Sequence, residues 1–515
     1  MGAVMKSKHL IILNTLLFAI CLSANLFAAG FAETYGMSAE GISRGNAMTA
    51  TVNDWSSVFY NVAGLGRTQG LTAAPAAKEG EMTLKLRKAE SEGGDSGKKD
   101  IYPSQFATSL LVTIPKLKLN IKRYNNTGGG TPTYYPESTN AAKMNPYGFL
   151  IIGGVLDLNT IIKMPDFISS ARLGIGMGMN WDFSMVKVND IDPRTHNFIR
   201  YGKECQRAEV FIGAGMGFLN DAFGGGLGVN VSFHGKGKLY MEAQLTGDPQ
   251  IPIGQTNMDL VIAPAAICGI YFSPGKFIQA INGLDIGASY RMAAKMKISP
   301  FDAAAGILGG AISMNLMLAI FDYYTPHTVT TGIAYSRWGA TFSVDIDYEM
   351  WSKHEFSKIM EYHYYRGLPK FRDTLVYKFG FKYDTPLNWL SVMAGYSYVP
   401  SILDKKTGTQ TSLRVGTTAN KIVSGVYNLL DNDKHMASAG LKFTLPKMSL
   451  VKGITVITVG YQFQYLVPKS VNKNGFSYNL TTGTMDDIVQ TYLLNPSYKY
   501  SGMNHSVVVE IGMKI

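Results

Sequence analysis

Long stretches of the chain alternate between apolar residues and polar or small residues with a period of two, as β-strands with two different faces do. Between positions 341 and 350, an apolar side chain occupies every second position, and Asp345, Asp347 and Glu349 lie on the opposite face. Strands of soluble proteins average about five or six residues, so about ten longer alternating segments favour a membrane protein. Further clear examples are 172–183, 284–297, 374–383 and 503–515.

Strands of this length predict an all-β fold, a transmembrane antiparallel β-barrel. A membrane strand needs about 9–11 residues, and only a closed barrel satisfies every backbone polar group in lipid. Short turns on one side and long polar loops on the other are typical of outer-membrane barrels, whose short side is periplasmic. The sequence predicts short turns at 220–223, 384–388 and 446–453, and long loops at 188–204, 353–372, 401–433 and 468–501.

Two segments leave the strand assignment open. Residues 303–321 carry no charge and are long enough for a transmembrane helix. Because they lie between two strand patterns and contain several glycines, we interpret them as an apolar extracellular loop, with the helix as the alternative. Within 70–156, the stretch 106–122 is compatible with two strands or with part of a loop hairpin. The number of barrel strands is therefore left open, and sixteen is possible.

The N-terminus has the order of a secretory signal peptide. Lys6 and Lys8 precede an uncharged apolar run at 10–27, and the small residues Ala28 and Ala29 follow it. Cleavage is expected near these alanines, with a retained membrane anchor as the alternative. The predicted organisation is a signal peptide at 1–28, an N-terminal plug segment at 29–67 and a barrel at 68–515.

Composition and motifs exclude several other functions. The net charge of +11 comes from scattered Lys and Arg without a dense basic run, which argues against a nucleic-acid partner. No nucleophile elbow, metalloprotease motif, P-loop or dinucleotide fingerprint is present, so we expect no enzyme activity and no cofactor. Cys205 and Cys268 have no zinc-site spacing, and whether they pair is open. The acids at 345, 347 and 349 are interpreted as water-facing lumen residues rather than a metal site.

Residues 30–67 are rich in small side chains and do not alternate. Their pattern contains A-G-F, then S-x-x-G-x-x-R-G-x-A, then D-x-S-x-x-x-x-N-V-A-G-L. It resembles the N-terminal segment of the FadL/TodX family of outer-membrane long-chain fatty acid and hydrocarbon transporters, in which the position of Val62 is usually Pro. Looser similarity continues at 348–352, 371–400 and 431–440. The matching residues are Ala29, Gly30, Phe31, Ser38, Gly41, Arg44, Gly45, Ala47, Asp54, Ser56, Asn61, Ala63, Gly64 and Leu65.

The resemblance implies a plug, or hatch, inside a 14-stranded barrel, with Asn61, Ala63 and Gly64 as its motif; the alternative for these three is an ordinary surface turn. It further implies passive uptake of hydrophobic small molecules, by loop capture, lumen binding and a shift of the plug. Outer-membrane lipids and the barrel assembly machinery are the other expected partners, and the outer membrane is the expected location. The alternatives are a polar-solute porin and an adhesin-like surface barrel.

Candidate ligand contacts follow from alternation and position. Arg291, Lys295 and Lys297 share one predicted lumen face, where a cation could hold a fatty carboxylate by a charge-assisted hydrogen bond. The alternative is that they pair with lumen acids such as Asp285. The uncharged segment that follows them is a candidate capture surface, represented by Ile307, Leu308, Leu316 and Leu318.

Overall fold

The computed structural model describes most of the chain from residue 30 onward, in separate ranges. Statements about the structure below refer to these residues. They are 30–68, 104–125, 133–138, 144–162, 164–165, 167–182, 196–201, 208–236, 241–243, 251–254, 259–295, 301–307, 312–318, 324–354, 365–366, 371–387, 389–403, 412–414, 422–424, 429–445, 453–471 and 497–514.

Fourteen antiparallel strands form one closed barrel. Each strand pairs with its neighbours in chain order, and the last strand pairs with the first from Gln105↔Lys514 to Ile121↔Tyr498. The predicted fold class is confirmed, and the strand number is fourteen. The strands are β1 (Gln105–Asn125), β2 (Tyr147–Asp157), β3 (Ile168–Asn180), β4 (Glu209–Phe218), β5 (Phe223–Lys236), β6 (Asp259–Phe272), β7 (Leu284–Arg291), β8 (His327–Arg337), β9 (Ala340–Met350), β10 (Thr374–Asp384), β11 (Leu390–Val399), β12 (Lys434–Leu445), β13 (Ile454–Val471) and β14 (Tyr498–Lys514).

The stretch left open in the sequence, 106–122, belongs to a single strand of 21 residues, β1. Its pairing with β2 ends at Thr113↔Tyr147, while its pairing with β14 continues to Ile121. Pro115 lies just beyond the end of the β2 pairing. A proline lacks the N–H that a central strand position uses, so this place beside a free strand edge accommodates it.

The predicted division into two faces is confirmed along β9. Asp345 and Asp347 point inward and are buried, whereas Val344, Ile346 and Tyr348 point outward and are exposed. The other strands follow the same rule, and their outward positions form an apolar band, as in transmembrane barrels. The two faces differ because one meets hydrocarbon and the other a polar, partly filled lumen.

One end of the barrel, here named the turn end, carries the start of β1, the end of β14 and the short turns. The predicted turn at 220–223 corresponds to a turn whose residues Leu219, Asn220 and Asp221 have positive φ. A further tight turn joins β8 to β9 through Trp338 and Gly339, both with positive φ, as two-residue hairpin turns require. The opposite end is named the loop end, and most of the predicted long loops fall outside the described residues.

The uncharged segment forms strands rather than a helix. Phe301–Ile307 pairs with Ile312–Leu318 as an antiparallel hairpin outside the barrel sheet. No helix in the described part of the chain is long and apolar enough to span a membrane. Other short strands are Thr133–Ser138, Asn197–Phe198, Met241–Ala243, Ile251–Gly254, Ala294–Lys295, Tyr324–Thr325, Tyr365–Arg366, Ser412–Arg414, Ile422–Ser424 and Leu429–Leu430; the 3-10 turns of the barrel are Leu158–Thr160, Pro274–Lys276, Gln279–Ile281 and Trp351–Lys353.

Residues 30–67, named the hatch segment, lie inside the barrel. The segment consists of short helical turns, and its large side chains Tyr35, Met37 and Trp55 are fully buried. Glycines on the inner strand faces give it room: a Cβ added at Gly395 would lie 2.0 Å from the backbone nitrogen of Gly45. The helical turns are Phe31–Thr34, Ala39–Ser43, Ser57–Tyr60 and Val62–Gly66.

Candidate functional site

The three predicted motif residues lie together at the wall formed by β4, β5 and β6. The Asn61 side chain accepts from the backbone N–H of Ala63, and its amide donates to the carbonyl oxygens of Thr49 and Ile270 at 2.8 and 3.0 Å. Ala63 is fully buried, and a Cβ on Gly64 would lie 2.3 Å from the Val52 carbonyl oxygen. These residues tie the hatch segment to a strand instead of forming a surface turn.

A cluster of charges anchors the hatch segment at the turn end. The Glu40 carboxylate lies 3.3 Å from Arg44, 3.5 Å from Lys382 of β10 and 2.6 Å from Lys442 of β12. Burial raises the pKa of Glu40, but the three cations together lower it more and hold the pKa well below its usual range. Arg44 also donates to the Ser343 hydroxyl of β9 at 2.7 Å. The cluster therefore joins the hatch segment to three strands.

The acids of β9 are engaged by separate partners. Asp345 accepts from the backbone N–H of Thr49 in the hatch segment at 2.8 Å, and Asp347 pairs with Lys378. Glu349 accepts from the Trp351 indole at 2.7 Å. Within the described ranges, no group of three or more His, Cys, Asp or Glu side chains could hold a metal ion. The inward position predicted for these acids is confirmed.

An apolar cluster fills the lumen between the hatch segment and the loop end; we name it the upper cluster. Its members come from β1, β13, β14 and two short loop-end segments that pair through Leu429–Leu430 and Asn197–Phe198. All of them are at most 5% exposed, so the surface they offer is apolar, aromatic and shielded from water. The members are Leu117, Leu119, Phe198, Tyr201, Leu430, Leu466, Tyr498 and Tyr500.

Two cations border the upper cluster. Lys434 is 1% exposed, and its Nζ lies 5.3 Å from the centre of the Tyr201 ring. Arg200 pairs with Asp431 at 3.4 Å. An apolar pocket with a few polar groups at its edge is the usual form of a small-molecule site, because the walls supply affinity and the polar groups set orientation.

Gln464 connects the upper cluster to the hatch segment. Its Oε1 accepts a hydrogen bond from the Tyr201 hydroxyl at 2.7 Å, and its Nε2 donates to the Thr34 carbonyl oxygen at 3.1 Å. The neighbouring inward residue Gln462 donates to the Tyr35 carbonyl oxygen at 3.1 Å. Tyr201 and the hatch backbone are therefore linked by two hydrogen bonds that share the Gln464 side chain.

The basic residues predicted from the sequence do not lie at the upper cluster as a group. Arg291 points inward as predicted and contacts the hatch segment: its guanidinium lies 4.2 Å from the Phe59 ring centre and 3.9 Å from Glu33. Lys295 belongs to the short strand Ala294–Lys295, where its own side chain is not described, and Lys297 lies outside the described residues. Their role as ligand contacts remains a prediction.

The predicted capture residues lie on the hairpin or between its strands. Ile307, Leu316 and Leu318 are in its two strands, and Leu308 lies outside the described residues. Nothing further is described of their side chains. Cys268 faces outward and is exposed, while Cys205 falls outside the described ranges.

The sequence does contain a signal for the upper cluster, although alternation alone did not reveal it. Leu117, Leu119 and Leu466 occupy inward positions, where most strands have polar or small residues. At Leu117 and Leu119 the usual pattern is reversed, because the inward positions are apolar and Lys116 and Lys118 face outward.

Comparison with known proteins shows the same fold. No family model and no curated protein matches the chain. A FadL homologue of Pseudomonas aeruginosa is similar in structure, with a TM-score of 0.51 and 12% identity over 95% of this chain and 99% of that one. The Pseudomonas putida toluene transporter TodX aligns with a TM-score of 0.45 and 12% identity, over 94% and 99% of the two chains. The resemblance of the chain to the FadL/TodX family is thus confirmed at the level of the fold.

Proposed function

We propose that this protein is an outer-membrane channel of the FadL/TodX type, which takes up hydrophobic small molecules such as long-chain fatty acids without an energy source. Residues 1–28 direct export, and the apolar outward band holds the barrel in the membrane. The relatives in structure are a FadL homologue and a toluene transporter. The chain's own lumen supports the proposal independently of them.

The observation that carries the proposal is the upper cluster. It is a packed apolar cluster, shielded from water, on the inward side of the barrel between the loop end and the hatch segment. Burying an alkyl chain contributes about 0.8 kcal/mol per CH₂, so such walls could bind a long chain without any charged contact. A channel for polar solutes has no use for apolar residues at these inward positions, which makes a polar-solute porin the weaker candidate.

Binding in the upper cluster would act on the hatch segment through Gln464. A ligand that displaces the Tyr201 ring removes its hydrogen bond to Gln464, whose amide then keeps only its donations to Thr34 and Gln462. The hatch segment would then loosen and open a route through the lumen. Release sideways into the membrane, as the resemblance implies, would follow this step.

Capture and head-group recognition complete the proposed route. The hairpin at 301–318 supplies the apolar capture surface, with Ile307, Leu308, Leu316 and Leu318 as its candidates. Arg291, Lys295 and Lys297 remain candidates for an anionic head group deeper in the lumen. Lys434 joins them because it borders the upper cluster itself.

Paired substitutions test binding and coupling separately. Leu466→Asp puts a charge into the upper cluster and should reduce binding of a fluorescent fatty acid at least about tenfold, since an unpaired charge cannot be buried cheaply; Leu466→Met should retain binding. Tyr201→Phe should bind within about threefold of the wild type, because only the hydroxyl is lost. Since its bond to Gln464 is absent from the start, this variant should leak without ligand and respond less to added ligand. Tyr465→Phe, on the outward face of the same strand, is its control. Normal binding by folded Leu466→Asp would refute the site.

A further inference from the structure

A groove crosses the outward surface of β4 to β8, within the apolar band. Three of the residues that line it, Ala214, Cys268 and Ala288, are small. Leu227 and Ile270 line it as well and are 72% and 63% exposed, so they stand out from the wall beside the small residues. The volume of about 670 Å³ lies in the range of about 300–1,000 Å³ that is usual for small-molecule sites, and the groove surface is almost entirely apolar.

The backbone beneath the groove is held from both sides. Within the sheet, Ile270 of β6 pairs with Ala288 of β7. From the lumen, the Asn61 side chain of the hatch segment donates to the Ile270 carbonyl oxygen at 3.0 Å. The groove is therefore formed before any ligand arrives, and a preformed site avoids the cost of ordering its walls on binding.

A tyrosine–histidine pair lies at the side of the groove toward the loop end. The hydroxyl of Tyr290, near the end of β7, is 2.8 Å from Nδ1 of His327, the first residue of β8. The Ala293 N–H donates to the same Nδ1 at 3.3 Å. Because a backbone N–H can only donate, Nδ1 is an acceptor, and the tyrosine hydroxyl donates to it. An aromatic ring with one polar end is typical of the boundary between hydrocarbon and lipid headgroups.

The same pairing recurs at two other places on the outward face. The Tyr396 hydroxyl lies 2.7 Å from Nδ1 of His435, and the Tyr461 hydroxyl lies 2.8 Å from Nδ1 of His505. Each of these tyrosines, like Tyr290, lies at a similar distance along its strand from the turn end. The pairs therefore mark one level around the barrel, the loop-side boundary of the apolar band, and the groove lies at the depth of the lipid chains below it.

We propose that the groove binds one acyl chain of a diacyl phospholipid, whose headgroup lies at Tyr290 and His327. From there the chain runs toward the turn end, past Leu227 and Ile270. The groove is continuous with the band that meets the bilayer, so its occupant comes from the membrane and not from the lumen. Because the surrounding lipid is as apolar as the groove, affinity comes from close van der Waals contact with a preformed shape.

Ala288→Leu tests the proposal by filling the groove. Folded protein in detergent is equilibrated with phosphatidylethanolamine, and native mass spectrometry measures the retained lipid. The wild type should retain a single phospholipid, and Ala288→Leu should bind it at least about tenfold more weakly, because the larger side chain takes the place of the acyl chain. The control is Ala394→Leu, which should match the wild type: Ala394 faces outward two positions before Tyr396, as Ala288 does before Tyr290.

Equal retention by the wild type and folded Ala288→Leu would overturn the proposal. It would also be overturned by a wild type that retains only added fatty acid, or that forms a dimer which Ala288→Leu abolishes, because the groove would then belong to the cargo or to a second copy of the chain. Heat-modifiable migration shows whether each variant is folded. These measurements do not involve uptake, so they are independent of the proposed channel function.

If Ala288→Leu does not fold, the wild type alone decides. A phospholipid with a diazirine in its acyl chain is bound, unbound lipid is removed with excess detergent, and the sample is irradiated. Peptides that contain Ala214, Leu227 or Cys268 should carry at least about tenfold more adduct than the peptide that contains Ala394, because only a chain held in the groove survives the detergent. An even distribution of adducts around the barrel would refute the site.

Discussion

At the residue scale, the space inside the lumen depends on glycines, which have no side chain. Inward glycines of β10, β11, β12 and β13 allow the hatch backbone to approach the wall closely; the Gly440 position, for instance, would place a Cβ 2.1 Å from the Ser43 hydroxyl. The outward Gly225 has no such neighbour, since a Cβ there would meet nothing nearer than 3.9 Å. Close packing therefore requires glycine at the inward Gly440, whereas the outward Gly225 has room for a larger residue.

Gly395→Ala tests this difference. The added methyl would collide with the Gly45 backbone, which must shift, and overpacking of this kind costs about 1–3 kcal/mol. We expect a lower temperature for loss of the heat-modifiable band and a higher leak conductance. The matched variant Gly225→Ala should behave like the wild type. Equal behaviour of the two variants would mean that the hatch segment does not press on the wall at this place.

Lys434→Gln tests the head-group role at the same scale. If Lys434 meets the carboxylate of a bound fatty acid, its loss should weaken binding of the acid by about tenfold, or about 1.4 kcal/mol, with little effect on the matching alcohol. Lys118→Gln is the control, because Lys118 faces outward between the cluster residues Leu117 and Leu119. Binding of acid and alcohol is compared by fluorescent competition. An equal loss of affinity for both would exclude Lys434 as a head-group contact. The corresponding variants of Arg291, Lys295 and Lys297 are judged by the same comparison.

At the element scale, the hatch segment is held at separate places by different interactions. Asn61 ties its end to β6, Gln464 ties its start to β13, and Glu40 pairs with cations of β10 and β12. The connection at Gln464 involves neutral groups, whereas the one at Glu40 is ionic. The two attachments should therefore respond differently to ligand and to pH.

Of the attachments at Gln464 and Glu40, only the one at Glu40 contains a carboxylate, so acidification should weaken it and leave the one at Gln464 intact. Because the folded-state pKa of Glu40 is depressed, its contribution is fully present above the unfolded pKa and is lost as pH falls through the folded value. The leak conductance of the wild type should stay low from neutral pH down to about 4.5 and rise below it.

Glu40→Gln should leak already at neutral pH. It leaves Lys382 and Lys442 without their shared anion, and removal of one member of a buried ion pair costs about 3 kcal/mol or more. Glu349→Gln, whose carboxylate contacts Trp351 rather than the hatch segment, should follow the wild-type curve. An unchanged acid response in Glu40→Gln would show that another group controls the attachment.

At the scale of the whole molecule, the barrel lumen is divided into layers along its axis. The hatch segment fills the layer toward the turn end, the upper cluster fills the layer toward the loop end, and Gln462 and Gln464 lie between them. A closed wall around a filled lumen explains how a channel of fourteen strands could avoid leaking polar solutes.

Deletion of residues 30–65, with the export signal kept, tests this arrangement. The barrel strands pair among themselves, so the wall should still form, while the emptied layer should raise single-channel conductance several-fold in planar bilayers. Circular dichroism and heat-modifiable migration would establish that the deleted protein is folded. A folded deletion variant with the low conductance of the wild type would mean that the upper cluster, and not the hatch segment, closes the lumen.

The sequence by itself determined the class of fold and the face of each strand. Alternation with period two is a local property, and a bilayer outside the wall demands it at every strand, so the inward acids at 345 and 347 could be assigned without coordinates. Segment 30–67 was distinguished by its many small residues and by the absence of alternation. The motif at Asn61 was recognised from its resemblance to the FadL/TodX pattern.

Only the tertiary structure decided which residues meet across the lumen. Gly30 and Glu209 are 179 positions apart, and Tyr201 and Gln464 are 263 apart. Their contacts depend on barrel closure and on the path of the hatch segment, neither of which leaves a periodic trace in the chain. The same is true of Arg291, whose inward direction was predictable but whose partners, Phe59 and Glu33, come from a segment folded back against it. Alternation assigns a side chain to the lumen, whereas its neighbours there are set by three-dimensional packing.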